Sequence, residues 1–140
     1  ENPEIQILDS QTALWMRENA QRVMSDFITK YGHAIDIVYA QDDNMATGAV
    51  NALRAAGYTL NNKPTVISIG AQEDGLHLVK EGWMDATILQ DPREECRLAV
   101  DTALNILEGK QTESFRTYFM EASPVNQSNV QDIIAMGLWD

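Results

Sequence analysis

Short apolar runs alternate with longer amphipathic stretches along this chain of 140 residues. Ile35, Ile37 and Val38 form a β-branched run that reads as a buried strand. It breaks at Gln41-Asp42-Asp43-Asn44. From Met45 onward, apolar and small residues at 45, 49, 52, 53 and 56 share one helix face, and Gly57 follows as a terminating glycine. The unit is strand, acidic turn, helix, with Asp43 or Asn44 expected to cap the helix. The same alternation repeats on either side. Ile5, Ile7 and Leu8 predict a first strand, followed by a helix over Ala13 to Lys30 with the stripe Met16, Ala20, Val23, Met24, Phe27 and Ile28. Thr65–Ile69 predicts a third strand, with a short helix carrying Leu76 and Val79 up to Gly82. Ala86–Gln90 predicts a fourth strand. Asp91-Pro92-Arg93-Glu94 supplies Asp as N-cap, Pro at N1 and Glu at N3 for a helix over Glu94–Glu108, whose apolar face is Cys96, Ala99, Val100, Ala103, Leu104 and Leu107. Arg116–Glu121 predicts another strand. Ser128–Gln131 resembles a capping box for a last short helix.

Strand-helix alternation with short connections predicts an α/β fold, a mostly parallel sheet flanked by helices on both faces. Composition narrows the function classes. Hydrophobic content of 44% and a mean hydropathy of −0.28 describe a water-exposed globular chain, and no apolar run has the length of a membrane helix. Ten Lys and Arg against 21 Asp and Glu leave a net charge of −11, which argues against a nucleic-acid partner. The single Cys96 rules out an internal disulfide and a cysteine zinc site. The chain begins at Glu1 without an initiator Met or signal peptide, so it reads as processed or trimmed.

Three predicted strand ends carry side chains made for hydrogen bonding: Asp42, Gln72 and Gln90. Open α/β sheets bind ligands just outside the carboxyl ends of their strands. Trp15 stands at a fourth strand-to-helix junction, off the apolar stripe of its helix. It either packs on a neighbouring loop or lines a site. Singly, Asp42, Gln72 and Gln90 each read as solvated or capping residues; their shared location is the signal. A carboxylate acceptor, two amides that donate and accept, and a flat ring suit a polyhydroxylated ligand with one C–H face. No nucleophile elbow, phosphate loop or dinucleotide fingerprint is present, so no catalytic residue, cofactor or metal site is assigned.

The stretch YAQDDNMATGAVNALRAAG resembles the V-x-A-x-N-D-x-M-A-x-G-A-x-x-A-L-x-x-A-G segment of type I periplasmic binding proteins, the ribose- and galactose-type solute receptors of ABC transporters. SQTALWMRENAQRVM is similar to the family's helix entry, VISIGAQEDGLHLVKEGWMDATILQDP to its next strand-helix-strand segment, and LAVDTALNILEGK to the following helix. The resemblance runs from about Ile5 to Lys110, with a weaker match at PVNQSNV. It implies a flavodoxin-like lobe in which Trp15, Asp42, Gln72 and Gln90 bind a sugar and Asp43 is the structural Asp of the turn. Two positions depart from the pattern. Asp42 replaces a ligand-binding Asn and Gln72 a ligand-binding Asp, so ribose or galactose specificity does not carry over.

The resemblance also implies an incomplete protein. Residues 1–92 correspond to part of a C-terminal lobe, and 93–140 to a helix, strand and terminal helix that cross to the other lobe and back. The expected partners are a sugar-like small molecule, an ABC transporter membrane permease, and either the missing N-terminal lobe or a second copy of the chain. The expected location is the periplasm, or the cell exterior on a lipid anchor, with no reaction catalysed. The alternatives are the effector-binding domain of a repressor, a membrane sensor of the same fold, and an unrelated flavodoxin-like enzyme holding a metal at Asp42 and Asp43.

Overall fold

The computed structural model describes residues 4–110, 117 and 120–139. In chain order the elements are α1 (Arg17–Tyr31), a short 3-10 turn (Gly32–Ala34), β1 (Ile37–Tyr39), α2 (Asp43–Ala55), β2 (Thr65–Gly70), α3 (Glu73–Glu81), β3 (Ala86–Leu89), α4 (Pro92–Leu107), β4 (Ser123–Asn126) and α5 (Val130–Ala135). The strands lie in sequential order as one mostly parallel sheet flanked by helices. β1 to β3 are parallel, and β4 closes the far edge antiparallel to β3.

The pairing register sorts the strand residues into two faces. Val38, Val66, Ser68, Thr87 and Val125 align on one face, and all but the half-buried Val38 are buried. α2 and α3 cover that face and contribute Ala46, Val50, Leu53, Leu76 and Val79 to the core. Full burial of one such aliphatic side chain contributes about 1.5–3 kcal/mol. On the other face Ile67, Ile69 and Ile88 are only half-buried, and Ile37 and Tyr39 are exposed. α1 packs on α2 with its backbone unusually close. A Cβ on Gly48 would lie 2.2 Å from the Arg17 carbonyl oxygen, so only glycine fits the crossing.

Several expectations are corrected. Ile5–Leu8 is not a strand; Ile5 and Ile7 are exposed and the segment pairs with no neighbour among the described residues. Its apolar pattern suits a strand, but a strand requires a partner. Here the Leu8 carbonyl instead accepts from the Tyr31 hydroxyl at 2.9 Å, and Lys30 Nζ reaches Asp9 at 3.0 Å, tying the segment to the end of α1. The first helix begins at Arg17 instead of Ala13, because Leu14 and Trp15 have φ of 53° and 59°, which halts helix growth. Met16 of the predicted stripe is therefore exposed.

Asp42, not Asp43 or Asn44, caps α2. The last strand is Ser123–Asn126. Of the predicted Arg116–Glu121, residues 116, 118 and 119 lie outside the described residues, and Thr117, Met120 and Glu121 are not in a strand. The capping box at Ser128 does not form. Ser128 Oγ donates to Asn126 Oδ1 at 2.7 Å, and α5 starts beyond Asn129 without a side-chain cap. α4 has its expected Asp91 cap, with the Arg93 N–H at 2.9 Å, but not one of its residues is buried.

Candidate functional site

The carboxyl ends of β1, β2 and β3 open along one edge of the sheet, and each continues directly into a helix. Asp42 follows β1 with extended backbone, and its Oδ1 accepts from the Met45 N–H at 2.8 Å. That bond satisfies one of the free amides at the start of α2. The other oxygen lies 3.4 Å from Nε2 of Gln72, the residue before α3. Asp42 and Gln72 are thus brought together from adjacent strands. Gln90 sits at the same edge after β3. Its N–H donates to the Gly70 carbonyl at 3.5 Å, and its exposed side chain makes no hydrogen bond among the described residues. Trp15 is 64% exposed and outside the core. It lines a cavity of about 350 Å³ together with Tyr39, Ala40, Gln41 and Met45; because Ile5–Leu8 is not a strand, Trp15 stands in a turn before α1 and not at a fourth strand-to-helix junction.

Beneath this edge Asp43 knits the strand ends together. It is fully buried. Its Oδ1 accepts from the hydroxyls of Ser68 and, at 2.8 Å, Thr87, while Oδ2 accepts from the Gln72 N–H at 2.7 Å. Thr87 Oγ1 in turn accepts from the Ala71 N–H at 3.2 Å. One carboxylate therefore ties α2 to β2, β3 and the β2–α3 turn. A Cβ on Gly75 would lie 2.2 Å from Oδ2, so α3 approaches this carboxylate only through glycine. Burial pushes the Asp43 carboxyl above its ordinary value; the bonds from Ser68, Thr87 and Gln72 oppose the shift, and the nearby Asp42 charge adds to it. Both oxygens of the fully buried Asp43 are held by protein donors, two on Oδ1 and one on Oδ2, so the carboxylate is turned inward and does not face the surface.

Other residues of the site carry no signal in a local motif. Arg17 Nη2 bridges Asn44 Oδ1 at 2.8 Å and Asp74 Oδ2 at 2.5 Å, joining the starts of α1, α2 and α3. Trp139, near the chain end, donates its indole N–H to the Ala71 carbonyl at 2.8 Å. Only Ser68 and Thr87 leave a trace, as hydroxyls flanked on both sides by apolar residues within their strands. Among the described residues, the non-glycine positions with positive φ are Leu14, Trp15 and Ala71. All of them lie in the turns carrying Trp15 and Gln72, and such strain gathers where the surroundings hold a side chain for a purpose.

The edge presents a carboxylate acceptor and two amides, a donor and acceptor layout for hydroxyl groups, and the exposed Trp15 lies in the turn before α1. A family model described as a periplasmic binding protein domain matches residues 1–111. The xylitol-binding protein of Mycolicibacterium smegmatis is 34% identical over 128 residues, covering 91% of this chain and 35% of that protein. The ribose import binding protein of Haemophilus influenzae is 35% identical over 108 residues, covering 77% of this chain and 35% of its own length. The crystal structure of a periplasmic solute-binding protein of an ABC transporter from Actinobacillus succinogenes, with bound D-allose, superposes with a TM-score of 0.81 at 31% identity, covering 93% of this chain and 44% of that one. The chain thus spans between about a third and under half the length of the proteins it matches. With most of its length matched and its fold shared, the chain belongs to the periplasmic binding protein domain family.

Proposed function

We propose that this chain is part of a solute-binding component of an ABC transporter and contributes one side of a sugar or polyol site. Trp15 supplies the stacking face and Asp42, Gln72 and Gln90 the hydrogen bonds. The observation that carries the reading is the convergence of Asp42 and Gln72, 3.4 Å apart, with Gln90 on the same strand edge. The relatives named for xylitol, ribose and D-allose support a ligand rich in hydroxyls. In this reading residues 1–92 belong to the C-terminal lobe, and 93–140 form the segment that leaves it and returns. α4, without a buried residue, fits the departure, and β4 paired to β3 fits the return. The second side of the cleft comes from an N-terminal lobe, or the open surfaces are covered by a second copy. Closure of the two sides around the ligand would be read by a membrane permease, in the periplasm or outside the cell on a lipid anchor.

One side of a cleft gives roughly half the contacts, and each missing buried hydrogen bond costs about 0.5–1.5 kcal/mol. The chain alone should therefore bind with a Kd on the order of millimolar. The test is an NMR titration with D-ribose, xylitol and D-allose. Saturable shifts confined to the Trp15 indole, the Asp42 and Gln72 amides and the Gln72 and Gln90 side-chain amides are expected for at least one of them. No response at high millimolar concentration, or a response centred elsewhere, overturns the site. Micromolar binding overturns the half-cleft account and leaves the residues in place.

A further inference from the structure

Ala71 is a fully buried residue with a φ of 51°, in the turn that delivers Gln72 to the site. An L-residue stays in the left-handed region only where its surroundings over-determine it. Here they do. The Ala71 N–H donates to Thr87 Oγ1 at 3.2 Å. The peptide joining Ala71 to Gln72 is held at both ends: its N–H donates to Asp43 Oδ2 at 2.7 Å, and its carbonyl accepts from Trp139 Nε1 at 2.8 Å. A peptide unit is planar, so pinning the carbonyl and the N–H on opposite sides blocks rotation of the whole unit. Asp43 and Thr87 belong to α2 and β3, close by in the sheet. Trp139 is 68 residues away, beyond α5, which packs its buried Val130 into the core.

We propose that the C-terminal segment is a positioning element of the site: Trp139, bonded to the Ala71 carbonyl, holds the β2–α3 turn in the form that aims Gln72 at Asp42. The inference rests on the sugar-site reading for what Gln72 meets, while the clamp itself concerns the turn alone. Trp139 is a positioning residue and touches no ligand in this scheme. Without its indole N–H the peptide keeps one pin, and the turn that holds Ala71 left-handed loses one of the bonds that over-determine it.

The test compares Trp139→Phe, which keeps a ring and loses the N–H, with wild type by amide hydrogen exchange and NMR. The Gln72 amide should exchange on the order of tenfold faster, as expected for a weakened hydrogen bond. The Gln72 side-chain amide signals should move, while the Leu53 and Val79 amides keep their protection. Adding Ala71→Gly to Trp139→Phe should return protection to Gln72, since glycine takes the left-handed form without strain. Unchanged exchange at Gln72 overturns the proposal, and so does an equal loss at Gln72, Leu53 and Val79, which marks a general stability contact. No arm uses a sugar. Loosening at Gln72 in a chain that ignores D-ribose, xylitol and D-allose leaves the clamp standing and removes the sugar reading.

Discussion

Asp43 shows what a single buried carboxylate does when it replaces ladder bonds at the ends of three strands. It accepts from Ser68, Thr87 and the Gln72 N–H, and its amide counterpart asparagine does not repeat that. In Asp43→Asn the amide oxygen can serve the hydroxyls, but the NH₂ then faces the Gln72 N–H, donor against donor. Leaving a buried donor unsatisfied costs about 1–3 kcal/mol, and urea unfolding at neutral pH should show a loss of that size. The pH dependence has a definite sign. Burial raises the folded pKa above the ordinary 3.8, so Asp43's contribution is fully present below that value and is lost as pH rises through the folded one. The stability gap between wild type and Asp43→Asn should therefore narrow from acid toward neutral pH; a gap that widens would show that the fold favours the charged form. From the sequence, Asp43 was legible as the structural Asp of its turn but not as the hub. Its partners lie 25, 29 and 44 positions away, and the pairing of Ser68 with Thr87 exists only once β2 and β3 are in register.

At the scale of elements, the periodic helices and the three parallel strands were legible, while Ile5–Leu8 and Ser123–Asn126 were not. α2, α3 and α4 follow from the apolar spacing within their own sequences, and α4 also from its Asp91 cap. Ile5–Leu8 has strand composition and no strand, because its ladder depends on a neighbour. Ser-Pro-Val-Asn at 123–126 has poor strand composition and forms β4, because it lies on an edge where Pro124 need not donate and Val125 is buried. α4 combines both lessons. Its apolar residues mark a face, yet Val100, Leu104 and Leu107 are 57%, 50% and 83% exposed. A stripe of that kind is an association surface, and in the isolated chain a twofold pair of α4 helices is the simplest cover. Sedimentation should therefore give a concentration-dependent dimer, and Leu104→Glu should return it to a monomer without lowering the unfolding midpoint. A wild-type chain that stays monomeric at high concentration would rule this pairing out.

For the molecule as a whole, one face of the sheet is a finished core and the other is not. The sequence carried the fold class, the parallel strands and the strand edge bearing Asp42, Gln72 and Gln90, because these follow from alternation and short connections. It did not show that Ile37 and Tyr39 are left exposed, which depends on where β1 lies in the sheet. That open edge gives β1 a second meaning. It is the terminal strand of the sheet, three residues long, with Ile37 and Tyr39 exposed and no strand on its outer side among the described residues. Unpaired backbone of that kind is a template on which another chain can add a strand, and such growth is open-ended where a helix pair closes on itself. Charge opposes this edge-to-edge growth: Asp36 stands beside the strand, and each chain carries −11. Salt shortens the reach of that repulsion from about 30 Å at 0.01 M to about 8 Å at 0.15 M. Colloidal behaviour should then turn on ionic strength: light scattering grows as salt is added, and Ile37→Lys, which puts a charge on the edge itself, suppresses the growth while the unfolding midpoint stays put. A chain whose scattering ignores salt would owe its solubility to something other than its acidity.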